Sequence, residues 1–210
     1  MKTKLGHHSV WLILSLFLAG CALGDRRVML SYPPESSEKG LEMLGVKKTV
    51  APALIPILLV PFEDEREEGE LIGEVLNGYG MRTADVVARN DVGHWVTDAI
   101  KSELEKAGYK VTVAQDPRKD SDQPLLSGKV GRIFCSAYTT YRGEVGFETR
   151  LELKGEEIFS KRYLGTAKSG LNWAMTARSY NRVLSLALQD AAARFVRDLN
   201  NVFVVEGGNP

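Results

Sequence analysis

Glu144-Val145-Gly146-Phe147-Glu148-Thr149-Arg150-Leu151-Glu152-Leu153-Lys154 is the stretch on which the fold turns. Val145, Phe147, Thr149, Leu151 and Leu153 alternate with Glu148, Arg150, Glu152 and Lys154. Side chains of a strand point to opposite faces in turn, so this pattern predicts one buried and one wet face. Antiparallel sheets tolerate that asymmetry. Gly155-Glu156 turns the chain back into a second strand, Glu157–Thr166, and Leu125 to Tyr138 supplies a strand before it. A loop, Ser169–Met175, carries Trp173. Thr176 or Ser179 can then cap a long helix. Its stripe is Leu184, Leu188, Ala191, Phe195, Leu199 and Val202, at helical spacing. Residues 205–210, rich in glycine and ending in proline, are expected to fray as a disordered tail.

Upstream, Ile57 to Phe62 is a continuous apolar run and predicts a strand covered on both faces. Pro61 cannot donate to a ladder, so the strand ends there or lies at an edge. An acidic turn, Glu63 to Gly69, follows. Leu71–Leu76 and Thr83–Val87 are two shorter strands around the turn signal Asn77-Gly78-Tyr79-Gly80. Asn90 or Asp91 caps a helix that runs to Ala107, with Val92, Trp95, Val96, Ala99, Ile100 and Leu104 as its apolar face and Gly108 as its stop. Tyr109, Val111 and Val113 alternate in a strand, and residues 115–124 form a polar loop. Two helices and a run of strands predict an α+β fold, a mostly antiparallel sheet with one face packed by the two helices. The expected organisation is a single domain over residues 55–204.

The beginning of the chain predicts its location. Lys2 and Lys4 precede the apolar run Val10 to Ala19, and small residues close it. That layout is a secretory signal covering residues 1–20. The run is about half the ~20 residues that a membrane-crossing helix needs. Leu18-Ala19-Gly20-Cys21 resembles the bacterial lipobox. The resemblance implies cleavage before Cys21 and acyl chains on that residue, the only added groups expected, with no other cofactor. Two or more chains give stable anchoring. Ala22 stands where enterobacterial lipoproteins retained at the inner membrane carry aspartate, which implies the outer membrane, with the body facing the periplasm. Residues 21–54 are then expected to be an acylated, flexible tether holding the domain well off the membrane. Within it Val28, Leu30 and Tyr32 alternate and can pair as a short strand, and Pro33-Pro34 stops it.

Hydrophobic content of 44% and charge of 26% describe a globular chain. It holds 27 basic and 27 acidic residues, and the leader removes Lys2 and Lys4, so the mature body is slightly acidic. Nothing in that balance suggests nucleic acid or a polybasic membrane patch. With Cys21 acylated, Cys135 has no disulfide partner and reads as a buried thiol among Ile133, Phe134 and Ala137.

The candidate catalytic and metal sites are thin. Of three histidines, His7 and His8 leave with the signal, and His94 remains, in the first turn of a helix. A triad would have to use it. One histidine and one thiol cannot complete a zinc site. The acidic run around Glu63–Glu70 lacks the alternating spacing of a calcium loop and contains Arg66, which can pair with Asp64. Asn77-Gly78-Tyr79-Gly80 does not complete a phosphate-binding glycine motif. No metal site is expected. Trp173 and Tyr180 lie in or beside a polar loop and are the candidate partner-binding aromatics.

Together with the lipobox, the body resembles the YajG-like family of small bacterial lipoproteins. The residues that carry this are Val28-Met29-Leu30-Ser31-Tyr32-Pro33-Pro34, Phe62-Glu63-Asp64-Glu65-Arg66, Leu104-Glu105-Lys106-Ala107-Gly108-Tyr109 and the final amphipathic helix. The resemblance implies no enzymatic activity. Relatives by architecture include auxiliary lipoproteins of envelope lipid transport and activators of peptidoglycan synthases. The expectation is a non-catalytic lipoprotein that binds an unidentified envelope protein. The rivals are an auxiliary lipid or glycan carrier, which needs an apolar cavity between sheet and helices, and a periplasmic hydrolase.

Overall fold

The computed structural model describes residues 24–32, 55–114, 122–171 and 176–206. Cys21, Trp173 and most of the expected tether lie outside them. Three long strands, β7 (Leu125–Ala137), β8 (Thr140–Leu153) and β9 (Glu156–Leu171), form an antiparallel meander. The β8–β9 turn places Lys154 and Gly155 at positive φ, 53° and 81°. β8 and β9 pair along their whole lengths, from Leu153↔Glu156 to Thr140↔Leu171. Ser169, Gly170 and Leu171, expected in a loop, are therefore strand, because the opposing start of β8 gives their backbone a partner.

The free edge of β7 is filled by three short strands in succession. These are β2 (Pro56–Leu59), β3 (Glu63–Asp64) and β4 (Leu71–Leu76), all parallel to it. The chain from 56 to 76 thus runs as one strand interrupted twice, first around Pro61 and then by the acidic turn. β4 pairs antiparallel with β5 (Arg82–Ala88), and β6 (Lys110–Val113) lies parallel on the outer side of β2. The result is a mixed nine-stranded sheet whose long pairings are antiparallel.

β1 (Arg26–Val28) pairs in parallel with β5. Val28 and Leu30 are buried. Residues 26–32 therefore belong to the folded domain, which corrects the expectation that all of 21–54 is tether. Their alternation buries apolar groups that a solvated tether would leave in water.

Two helices cover one face. α1 (Val92–Lys106) starts at Asp91, whose Oδ1 accepts the His94 amide at 2.7 Å. It ends at Gly108, where φ of 98° lets the Tyr109 amide return to the Leu104 carbonyl at 3.0 Å. α2 (Ala177–Glu206), capped by Thr176 through the Ser179 amide, spans 30 residues, about 45 Å. It reaches two residues into the stretch expected as tail. Tyr180, Val183, Leu184, Ala187, Leu188, Ala191, Phe195 and Leu199 bury its apolar stripe. Phe195 meets Tyr163 edge-on at 5.7 Å and Phe147 at 6.5 Å, and Phe147 meets Phe62 at 5.8 Å. α2 sits so close to β9 that a Cβ on Gly165 would lie 1.9 Å from the Ala187 carbonyl oxygen.

Candidate functional site

The segment after β1 is strapped across both helices. Asn90 holds Leu30 with both ends of its amide, accepting the Leu30 amide at 2.8 Å and donating to its carbonyl at 3.0 Å. Asn181 of α2 accepts the Ser31 amide at 2.9 Å, and Ser185 donates to the Ser31 carbonyl at 2.9 Å. The Tyr32 hydroxyl donates to Glu103 Oε1 at 2.8 Å, and Lys106 reaches the same oxygen at 3.2 Å. Burial, then the Glu103 charge, push the Tyr32 phenol far up, so it stays a neutral donor. Beside the strap lies a crevice of about 430 Å³, lined by Leu30, Tyr32, Asn90, His94, Trp95 and Asp98 among others. The His94 ring has no hydrogen-bond partner among the described residues, so it has nothing to orient it as a base. Trp95 is core, as its helical spacing predicts.

The outer face of the meander carries ion pairs instead of helices. Lys129 meets Glu65 at 2.6 Å, Arg132 meets Glu144 at 2.7 Å, and Arg162 meets Glu148 at 2.6 Å. A groove of about 420 Å³ runs between them. Its lining includes Gly146, the partner of Arg132, and Gly131, the extra residue at the register shift between Val130 and Arg132, and Leu164 stands exposed at its side. Sequence alternation predicts this wet face. The bulge within it has only Gly131 as a signal.

The remaining chemistry-bearing groups are tied into structure. Arg66 fills the acidic turn: Nε and Nη2 hold the two Asp64 oxygens at 2.8 Å each, and Nη2 and Nη1 donate to the Gly69 and Leu71 carbonyls at 2.7 and 2.9 Å. The turn thus contains its own cation. The Cys135 thiol is buried 3.2 Å from the Ile72 carbonyl, and burial pushes its pKa well up, away from a reactive thiolate. No cluster of three metal-ligating side chains occurs among the described residues. Tyr180, expected as an exposed aromatic, is wholly buried and packs edge-on against Tyr141 at 5.1 Å. Its position at i−4 from Leu184 places it on the apolar stripe, so it is a core residue and not a contact for a partner.

No family model matches the chain, and no curated protein does. Among solved structures, a DUF330 protein of Xanthomonas campestris aligns with a TM-score of 0.54 at 11% identity, over 88% of this chain and 99% of its own. An uncharacterized protein aligns with a TM-score of 0.50 at 12% identity, over 70% of this chain and 94% of its own. A minor lipoprotein of Acinetobacter baumannii aligns more loosely, with a TM-score of 0.40 at 9% identity, over 71% and 94% of the two chains. The chain shares the α+β fold of the first two. The finer resemblance to the YajG-like family has no family match behind it. Among the described residues no helix is long and apolar enough to cross a membrane.

Proposed function

We propose that this protein is a non-catalytic lipoprotein of the bacterial envelope, anchored through acyl chains on Cys21 to the outer membrane and facing the periplasm. It works by binding an envelope protein. The observation that carries this reading is the lipobox-like Leu18-Ala19-Gly20-Cys21, placed immediately ahead of a folded body. The tying-up of Arg66 and Cys135 in structure is consistent with it. The carrier alternative has less support, because Phe62, Phe147, Tyr163 and Phe195 fill the space between sheet and helices. With Tyr180 in the core, Trp173 is the remaining candidate aromatic for the partner contact.

Affinity capture of the tagged lipoprotein from solubilised envelope tests the proposal. Cys21→Ala is expected to abolish palmitate incorporation and membrane attachment. Trp173→Ala is expected to keep both and lose the captured partner. Palmitate in the Cys21→Ala protein refutes the anchor, and an unchanged set of captured proteins refutes the role of Trp173.

A further inference from the structure

We infer that one end of the sheet rests on the headgroup layer of the membrane that holds the anchor, an inference that depends on the acylation of Cys21 proposed above. The folded body begins almost at once after that cysteine. The Asp25 carboxylate accepts the Asp85 amide at 3.2 Å, and β1 is in register with β5 from Arg26↔Val86. Ala22 and Leu23 alone separate Cys21 from Gly24. Three Cα steps span at most about 11 Å. A leash so short holds the entry end of β1 at the lipid surface, not well off it.

That end has the chemistry of a membrane-facing surface. β1 pairs with the last three residues of β5 and runs parallel to it, so its entry at Arg26, beside Val86, points back along β5 toward Arg82, where the turn from Asn77 to Met81 joins β4 to β5. The β7–β8 turn lies next to it, and the Tyr138 hydroxyl donates to the Gly78 carbonyl at 2.8 Å. Tyr79 is 90% exposed, Met81 59% and Tyr138 45%. Asn77 stiffens this tip by accepting the Tyr79 and Met81 amides at 2.9 and 3.0 Å. Tyrosines with an apolar ring and a polar end suit the boundary between lipid and water. Around them Arg142 and Lys168, register partners on the outer face, and Arg178, in the first turn of α2, are exposed. None of the three makes an ion pair among the described residues. Free cations near a bilayer surface are drawn to anionic headgroups. The acyl chains supply the affinity, and this surface sets the orientation. The strands then run away from the bilayer.

The test uses the full acylated protein reconstituted into vesicles of phosphatidylethanolamine and phosphatidylglycerol brominated high on the acyl chain. Mass spectrometry first establishes the acyl chains. Tyr79→Trp reports on the proposed contact, and Val113→Trp reports on the opposite end, each corrected for wild-type fluorescence. The expected result is at least twofold greater quenching for Tyr79→Trp. Charge reversal at Arg142→Glu and Lys168→Glu together is expected to halve that quenching. A protein without acyl mass overturns the lipidation, and this inference falls with it. An acylated protein with equal quenching at both ends overturns the orientation alone. Quenching unchanged by the charge reversal overturns the headgroup contact.

Discussion

The two faces of the β7–β8–β9 meander are built from the same strands and do opposite work. On the covered face Val145, Phe147, Leu151 and Tyr163 are buried against α2, and glycine at 165 lets the helix backbone approach. On the outer face the intervening positions carry the cross-strand pairs Arg132–Glu144 and Glu148–Arg162, and Lys129, which meets Glu65 from the neighbouring turn. Apolar burial is worth about 25 cal/mol per Å² and adds over many contacts. An exposed pair such as Arg132–Glu144 contributes about 0–1 kcal/mol. Stability therefore resides almost wholly on one face, and the other is free to carry recognition at little thermodynamic cost. A face so tolerant of change is where a binding groove can be shaped without unfolding the domain.

The sharpest way to break this contrast is Phe195→Ala. Removing a fully buried ring from between Phe147 and Tyr163 leaves a cavity, and the expected loss is about 3–5 kcal/mol in denaturant melts. A loss under about 1 kcal/mol would mean that α2 does not pack as described.

Asp198 tests the boundary between the faces. Burial pushes its carboxyl up, but hydrogen bonds from Lys161 at 2.7 Å and Tyr163 at 3.2 Å outweigh this and hold it below the usual range. A carboxyl lowered on folding stabilises the fold fully above its unfolded value, near pH 4, and that contribution fades as pH falls through the lower folded value. Asp198→Asn is expected to cost about 1 kcal/mol at neutral pH and to flatten the acid limb of the stability profile. Parallel acid limbs for variant and wild type would count against the coupling.

Smallest is the outer face itself. Arg132→Ala should shift stability by less than about 1 kcal/mol, even though its guanidinium pairs with Glu144 at 2.7 Å. A loss comparable to that of Phe195→Ala would erase the distinction between the faces.

The alternation in 144–154 and the helical stripes were enough to predict an α+β fold with one helix-covered face, because period-2 and period-3.6 patterns report local burial directly. The cap at Asp91, the stop at Gly108 and the Asp64–Arg66 pair were legible for the same reason: each acts over a few residues. Tertiary structure decided the rest. Tyr180 looked like a loop-side aromatic until α2 turned it toward Tyr141. The alternation of Val28, Leu30 and Tyr32 hinted at a short strand inside the expected tether, but not at what holds it, because the partners of this segment, Asn90, Glu103 and Asn181, lie 60 to 150 positions away. The parallel seating of β2, β3 and β4 on β7 is likewise a pairing between distant segments. Composition and periodicity record which residues want burial. They do not record which remote backbone or side chain will provide it, and that choice places the first folded strand within a few residues of the proposed lipid anchor.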